Sequence, residues 1–232
     1  MRLATVRGIP IRLHWSFFVL VALLAAGGAR AAGVSGVLAT LGLTTGLFVS
    51  VALHELGHAL TAERFGIRTR HITLYPFGGV AAIERMPTLP GQELAIALAG
   101  PAVNFGLTAM AGWVWGATGS TAMLTLAVMN LVMGVFNLVP AFPMDGGRVL
   151  RALLSQRMGH WRATDLSIRI GRGFAWLFLA VGVYLWMPSL LMVGAFLHFA
   201  LTAERAQLTR QAFAQWHPRD PFGSRRWSAR PG

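Results

Sequence analysis

The chain has no cysteine and no lysine, and only 8 of its 232 residues are acidic. Without cysteine there is neither a disulfide framework nor a thiolate metal site, so any metal must be held by His, Asp or Glu. Charged residues make up 12% of the chain, about half the share usual in a soluble domain. That scarcity goes with 55% hydrophobic residues and a mean hydropathy of +0.57. A soluble globule is therefore the poorer reading; the length suits about six membrane spans joined by short loops. The basic residues, all arginine, bring the net charge to +12. They fall in short clusters at the ends of apolar runs, which fits anchoring at a bilayer surface better than binding nucleic acid. The bilayer is the expected partner and nucleic acid is not.

Uncharged apolar runs place the spans at roughly 14–31, 34–62, 93–117, 121–140, 173–187 and 189–203. No charged residue stands between Glu93 and Asp145, room for two spans with a hairpin at Ala117–Ser120. Arginines cluster before the first span (Arg2, Arg7, Arg12), after the second (Arg64, Arg68, Arg70, Arg85), after the fourth (Arg148 to Arg172) and in the tail. The other three loops hold only Arg30. Six spans with both termini in the cytoplasm put every cluster inside. The leader through Gly8-Ile9-Pro10-Ile11 is long for a signal peptide, so the first span is expected to be retained. The expected class is an all-α polytopic membrane protein, with residues 1–205 as the membrane domain and 206–232 as a polar cytoplasmic tail. Glu93, Asp165 and Glu204 are expected to pair with arginines at the membrane surface.

One span carries ionisable groups. His54-Glu55-Leu56-Gly57-His58 is an H-E-x-x-H motif lying after about twenty uncharged residues. Residues four apart share a helix face, so His54 and His58 can offer their imidazoles to one zinc ion. Glu55, one position on, is turned toward a water on that metal and can move its protons. On an ordinary surface helix the motif would mean little. At membrane depth such groups are costly and need partners, which a metal supplies.

Catalytic zinc needs a third protein ligand and an open position. Asp145, Glu63, Glu84, Glu93, His14 and His71 are candidates. Asp145 stands out, because Pro140 and Pro143 break the chain just before it and Gly146-Gly147 allow a tight turn after it. The charge map puts His54 ~15 Å above the cytoplasmic end of its span, and Asp145 on the same side.

With these two motifs in this order, the sequence resembles the site-2 protease family, nearest to its bacterial branch that includes the sporulation pro-sigma-factor processing protease. The resemblance rests on His54–His58 and on Asn137 to Gly146. Phe77-Gly78-Gly79, Ala99-Gly100-Pro101-Ala102-Val103-Asn104 and His14-Trp15-Ser16 support it, and it spans roughly residues 8–205. It implies one zinc per chain bound by His54, His58 and Asp145, with Glu55 as general base and Asn137 orienting substrate or stabilising the oxyanion. It further implies a short membrane-associated β-structure after the second span, with Gly78, Gly79 and Asn104 beside a membrane-anchored protein substrate. The implied location is a bacterial cytoplasmic membrane, with the active site toward the cytoplasm. No Pro follows Asn137 directly, and the chain has no room for a PDZ or CBS module. Two rival functions use the same residues: a zinc transporter or sensor, and a gluzincin-type protease with Glu84 or Glu93 as third ligand. Asn104 and Asn130, read as residues alone, fit inter-helix hydrogen bonds better than substrate contacts.

Overall fold

The computed structural model describes residues 1–215 except 77, 86 and 88, so Phe77 and the tail beyond residue 215 lie outside the described residues. The longest element, α1 (Ser16–Arg64, 49 residues), would be roughly 70 Å long if straight. It is not straight. Ala32 (φ −149, ψ 24) and Gly33 (φ 59, ψ −139) leave helical geometry, the latter in a region natural to glycine. The chain reverses there. Phe17 meets Phe48 edge-on with ring centroids 4.3 Å apart, and a Cβ on Gly28 would stand 2.5 Å from the Gly36 carbonyl oxygen. The element is thus a hairpin with arms 16–31 and 34–64, over the stretches read as the first two spans.

The strands flanking this hairpin show the reversal independently. β1 (Arg2–Val6) and β2 (Ile9–Leu13) precede it, and β3 (Thr69–Tyr75) and β4 (Gly78–Ile83) follow. They form one sheet in the order β1-β2-β3-β4, with β2 and β3 parallel and the outer pairs antiparallel. Neighbouring strands lie about 5 Å apart, so both ends of α1 are at one level of the molecule.

The expected β-structure after the second span is therefore half of a larger sheet, and the all-α class is corrected to a helical fold with a mixed four-stranded sheet. The β1–β2 turn uses Arg7 (φ 47) and Gly8 (φ 83), the positive-φ pair that matches strand twist. The period-2 pattern Ile9, Ile11, Leu13 buries one face of β2. That face joins Ile72 and Leu74 against Phe48, Leu56 and Ala59 of the second arm. The sheet so docks on the helix that carries the H-E-x-x-H motif.

Helices α2 (Pro90–Thr118), α3 (Thr121–Asn137), α4 (Asp145–Met158), α5 (His160–Tyr184) and α6 (Pro188–Gln215) follow. Among the described residues α1, α2 and α5 are long and apolar enough to cross a membrane, and α3, at 17 residues, is a shorter apolar helix. α5 begins at His160, well before the expected residue 173, because an arginine-bearing stretch of about three and a half turns continues into the apolar run without a break. α6 likewise runs on past residue 203 as one helix. The second arm of α1 packs on α2 and α3, α2 on α4, α4 on α5, and α5 on α6. The loop between α3 and α4 is pinned by Ala141, Phe142 and Met144 against Ile168, Ala175, Leu197 and Leu201.

Candidate metal centre

Two elements bring three residues together. His54 and His58 sit one turn apart on the second arm of α1, and Asp145 opens α4. The two Nε2 atoms are 3.1 Å apart, and Asp145 Oδ2 is 3.2 Å from His54 Nε2 and 3.1 Å from His58 Nε2. All three residues are buried. Tetrahedral zinc with bonds of about 2.0–2.1 Å has ligand–ligand edges of about 3.3 Å, close to this triangle. His58 Nδ1 pairs with the Ile96 carbonyl at 2.7 Å, where only an N–H can donate. In neutral His58, Nε2 is then a bare lone pair set 3.1 Å from a second acceptor, the Asp145 carboxylate oxygen. A cation resolves that conflict, so the donor set fits a metal held by His54, His58 and Asp145. Among the described residues this is the one group with metal-binding spacing.

The backbone explains how the donors converge. A Cβ on Gly100 of α2 would fall on the His58 imidazole and 2.7 Å from His54 Cε1, so α2 passes against the rings only because Gly100 has no side chain. One turn away, a Cβ on Gly57 would stand 2.9 Å from the Ala99 carbonyl oxygen. Between α3 and α4 the loop keeps its own hydrogen bonds, including Ala141 N–H to the Val139 carbonyl at 2.7 Å and Met144 N–H to the Ala141 carbonyl at 3.0 Å. Irregular backbone within a protein-lined site needs such satisfaction. Gly146 and Gly147 serve close approach, not a positive φ: a Cβ on Gly146 would strike the Leu138 and Val139 carbonyls, and one on Gly147 would lie 2.7 Å from Phe142 N. Asp145 also stands at a helix N-terminus, where a carboxylate is favoured.

Glu55 faces β4. A Cβ on Gly79 would stand 2.9 Å from Glu55 Oε1, so the strand runs directly beside that carboxylate. Glu55, the three donors, Gly78, Gly79 and Asn137 line one cleft of about 680 Å³, with Phe48, Val51 and Phe136 among its apolar walls. Asn137 closes α3 and gives one N–H to the Met133 carbonyl at 3.0 Å, which leaves its second N–H for the cleft.

Asn104 is not on the cleft wall. It is fully buried where α2 crosses α3, and a Cβ on Gly134 would meet its Cβ at 3.3 Å. Asn130 makes the inter-helix bond expected of it, donating to Ser50 Oγ at 3.1 Å. Of the other candidate ligands, Glu84 pairs with Arg70 at 3.4 Å, and His14 bonds Ser16 Oγ at 2.7 Å.

Glu93 is also engaged, and not at the surface as expected. It is buried, accepts from Arg151 Nε at 2.8 Å and also pairs with Arg151 Nη2. The Arg151 guanidinium carbon lies 5.0 Å from the Phe142 ring centroid, and Nη1 is 3.8 Å from Glu204 of α6. Asp165 does pair near the surface, with Arg169 at 2.7 Å. Gly100 and the Ile96 carbonyl build the site without a signature in the sequence. Gly100 was visible only as part of a Gly-Pro stretch.

The chain matches the family model described as peptidase family M50 over residues 42–120 and 115–178. It is similar to a zinc metalloprotease of Methanocaldococcus jannaschii, 37% identical over 209 residues, which cover 88% of this chain and 60% of that protein. Stage IV sporulation protein FB of Bacillus subtilis is 30% identical over 178 residues, covering 72% of this chain and 60% of that protein. This chain thus spans about three fifths of the length of each. The solved site-2 protease of M. jannaschii superposes with a TM-score of 0.65 at 37% identity, covering 88% of this chain and 94% of that one.

Proposed function

Because the chain belongs to peptidase family M50, the site-2 proteases, we propose that it is an intramembrane zinc endopeptidase. It hydrolyses peptide bonds within or near the transmembrane segment of a membrane-anchored protein. One observation carries this reading: the lone pairs of His54, His58 and Asp145 converge beside Glu55 in a cleft large enough for an extended peptide. Those three residues would hold one zinc per chain. Bound there, zinc supplies a Lewis acid that polarises the scissile carbonyl and makes a water acidic enough to lose a proton near neutral pH. Glu55 takes that proton and returns it to the leaving amine. The free N–H of Asn137 donates to the oxygen on which charge develops. Gly78 and Gly79 leave the β4 backbone open beside Glu55, so an unwound substrate can align along it.

Six spans carry this site: the two arms of α1, then α2, α3, α5 and α6. The parallel β2–β3 pair supports an even number of crossings between those strands. The arginine clusters support cytoplasmic termini and a cytoplasmic approach for water, in a bacterial inner membrane. The rival zinc transporter needs ligands relayed across the bilayer, and the described residues hold one such group. The gluzincin rival loses its ligands to Arg70 and Arg151.

The test uses the purified protein in proteoliposomes with a single-span model substrate and mass spectrometry of the products. The wild-type chain is expected to cleave, and Glu55→Gln to keep its zinc and lose at least about 100-fold in rate. Unimpaired cleavage by Glu55→Gln would falsify the mechanism. Zinc flux without proteolysis would favour the transporter.

A further inference from the structure

His58 and His54 stand in unequal surroundings. His58 has a partner behind it, the Ile96 carbonyl, which fixes its tautomer and ring orientation. His54 Nδ1 is buried with no partner among the described residues. A ligating histidine almost always donates from its other nitrogen, since this sets which nitrogen faces the metal. The missing acceptor should therefore be close by.

Asn104 is a side chain with the complementary fault. It is fully buried, and both its Oδ1 and its Nδ2 lack a partner among the described residues. The helix register brings it to His54. α1 and α2 pass antiparallel, with His58 at Ile96 and Gly57 at Ala99. Moving up α2 by one turn reaches Gly100, against the Cε1 atoms of both rings. A further turn reaches Asn104 on the same face. Side chains on a helix lean toward its N-terminus, so Asn104 leans back over the Gly100 gap. The ring edge of His54 that faces Gly100 is Cε1, the carbon between Nε2 and Nδ1.

We infer that Asn104 is a positioning residue for the metal centre: with the metal bound, a turn of its side chain lets Oδ1 accept the His54 Nδ1–H, a bond neither atom makes in this structure, and holds Nε2 toward the metal. One face of α2 then orients both histidines, through a backbone carbonyl at Ile96 and a side-chain amide at Asn104, with Gly100 as the clearance between. This rests on the zinc reading above and gives Asn104 a place behind the ligands, not beside the substrate.

The experiment measures zinc affinity by competition with a chelator, together with the melting temperature of the zinc-free protein, for wild type, Asn104→Leu and Asn104→Asp. Leucine fills the space without an acceptor; aspartate keeps the acceptor. Asn104→Leu is expected to bind zinc about 10- to 100-fold more weakly, with Asn104→Asp within a few-fold of wild type. Equal affinity in wild type and Asn104→Leu overturns the inference. So does an equal loss in both variants, which would mark a packing role. A wild-type chain that takes up no zinc overturns the zinc reading as well, and the outcomes are thereby distinct.

Discussion

Two buried polar clusters share α4, one formed with α2 and the other with the second arm of α1, and they are opposites. Glu93 and Arg151 cancel each other's charge, and the guanidinium lies over Phe142 with Glu204 nearby. The pair is complete within the chain. His54, His58 and Asp145 bring two imidazole nitrogens and a carboxylate oxygen together, with His58 Nε2 and Asp145 Oδ2 facing each other as two acceptors. Burial is similar in both. What separates a structural cluster from a chemical one here is the sum of what the groups offer, not their depth. A closed pair stabilises or merely tolerates its own burial; an open set of donors waits for a cation.

The comparison can be broken most severely at the open cluster. Asp145→Ala is expected to abolish stoichiometric zinc, measured by elemental analysis of the purified protein, and all cleavage with it. Zinc retained at one per chain would remove Asp145 from the ligand set. The closed cluster should respond in stability instead. Arg151→Met leaves Glu93 buried and unpaired and is expected to cost about 3–5 kcal/mol in unfolding measurements. Joint replacement of Glu93→Gln with Arg151→Met should recover much of that loss. No paired replacement should restore zinc once Asp145 is gone.

Gly100→Ala sharpens the contrast at smaller scale. Its Cβ would fall on the His58 ring, so zinc affinity should drop while the helices stay folded. Gly112→Ala on the same helix, with nothing within 4 Å of the added carbon, should leave affinity unchanged. An equal effect from both would mean that helix flexibility, not clearance at the rings, is the cause. The smallest effect belongs to the exposed Arg70–Glu84 pair: Arg70→Ala should move neither zinc content nor melting temperature measurably.

Much of this was legible in the chain. His54 and His58 declare themselves because helical periodicity fixes which residues share a face, and their setting in an uncharged run makes coincidence expensive. Asp145 was legible because two prolines and two glycines mark a broken backbone. The charge gaps marked the apolar helices. Other parts were hidden for physical reasons. The Ile96 carbonyl is backbone and has no side-chain signature. Gly100 matters for what it lacks, and glycines that face open space look identical in sequence. β1 and β2 are five residues each, and their link to β3 is made across the whole α1 hairpin. Arg151 was counted with the surface arginines because nothing local distinguishes a cation that turns inward to meet Glu93.

The parallel β2–β3 pair has a consequence for biogenesis. When β2 leaves the ribosome, its sheet partner has not been made; both arms of α1 must be synthesised and reversed at Ala32-Gly33 first. With the two arms as two spans, as proposed above, a first arm threaded without its return would leave β3 on the far side of the bilayer from β2. Pairing of Ile11 with Ile72 then acts as a latch that closes only on a correctly inserted hairpin. Because the same sheet seats β4 beside Glu55, the cleft that Glu55 lines would be completed only in chains that have passed that check.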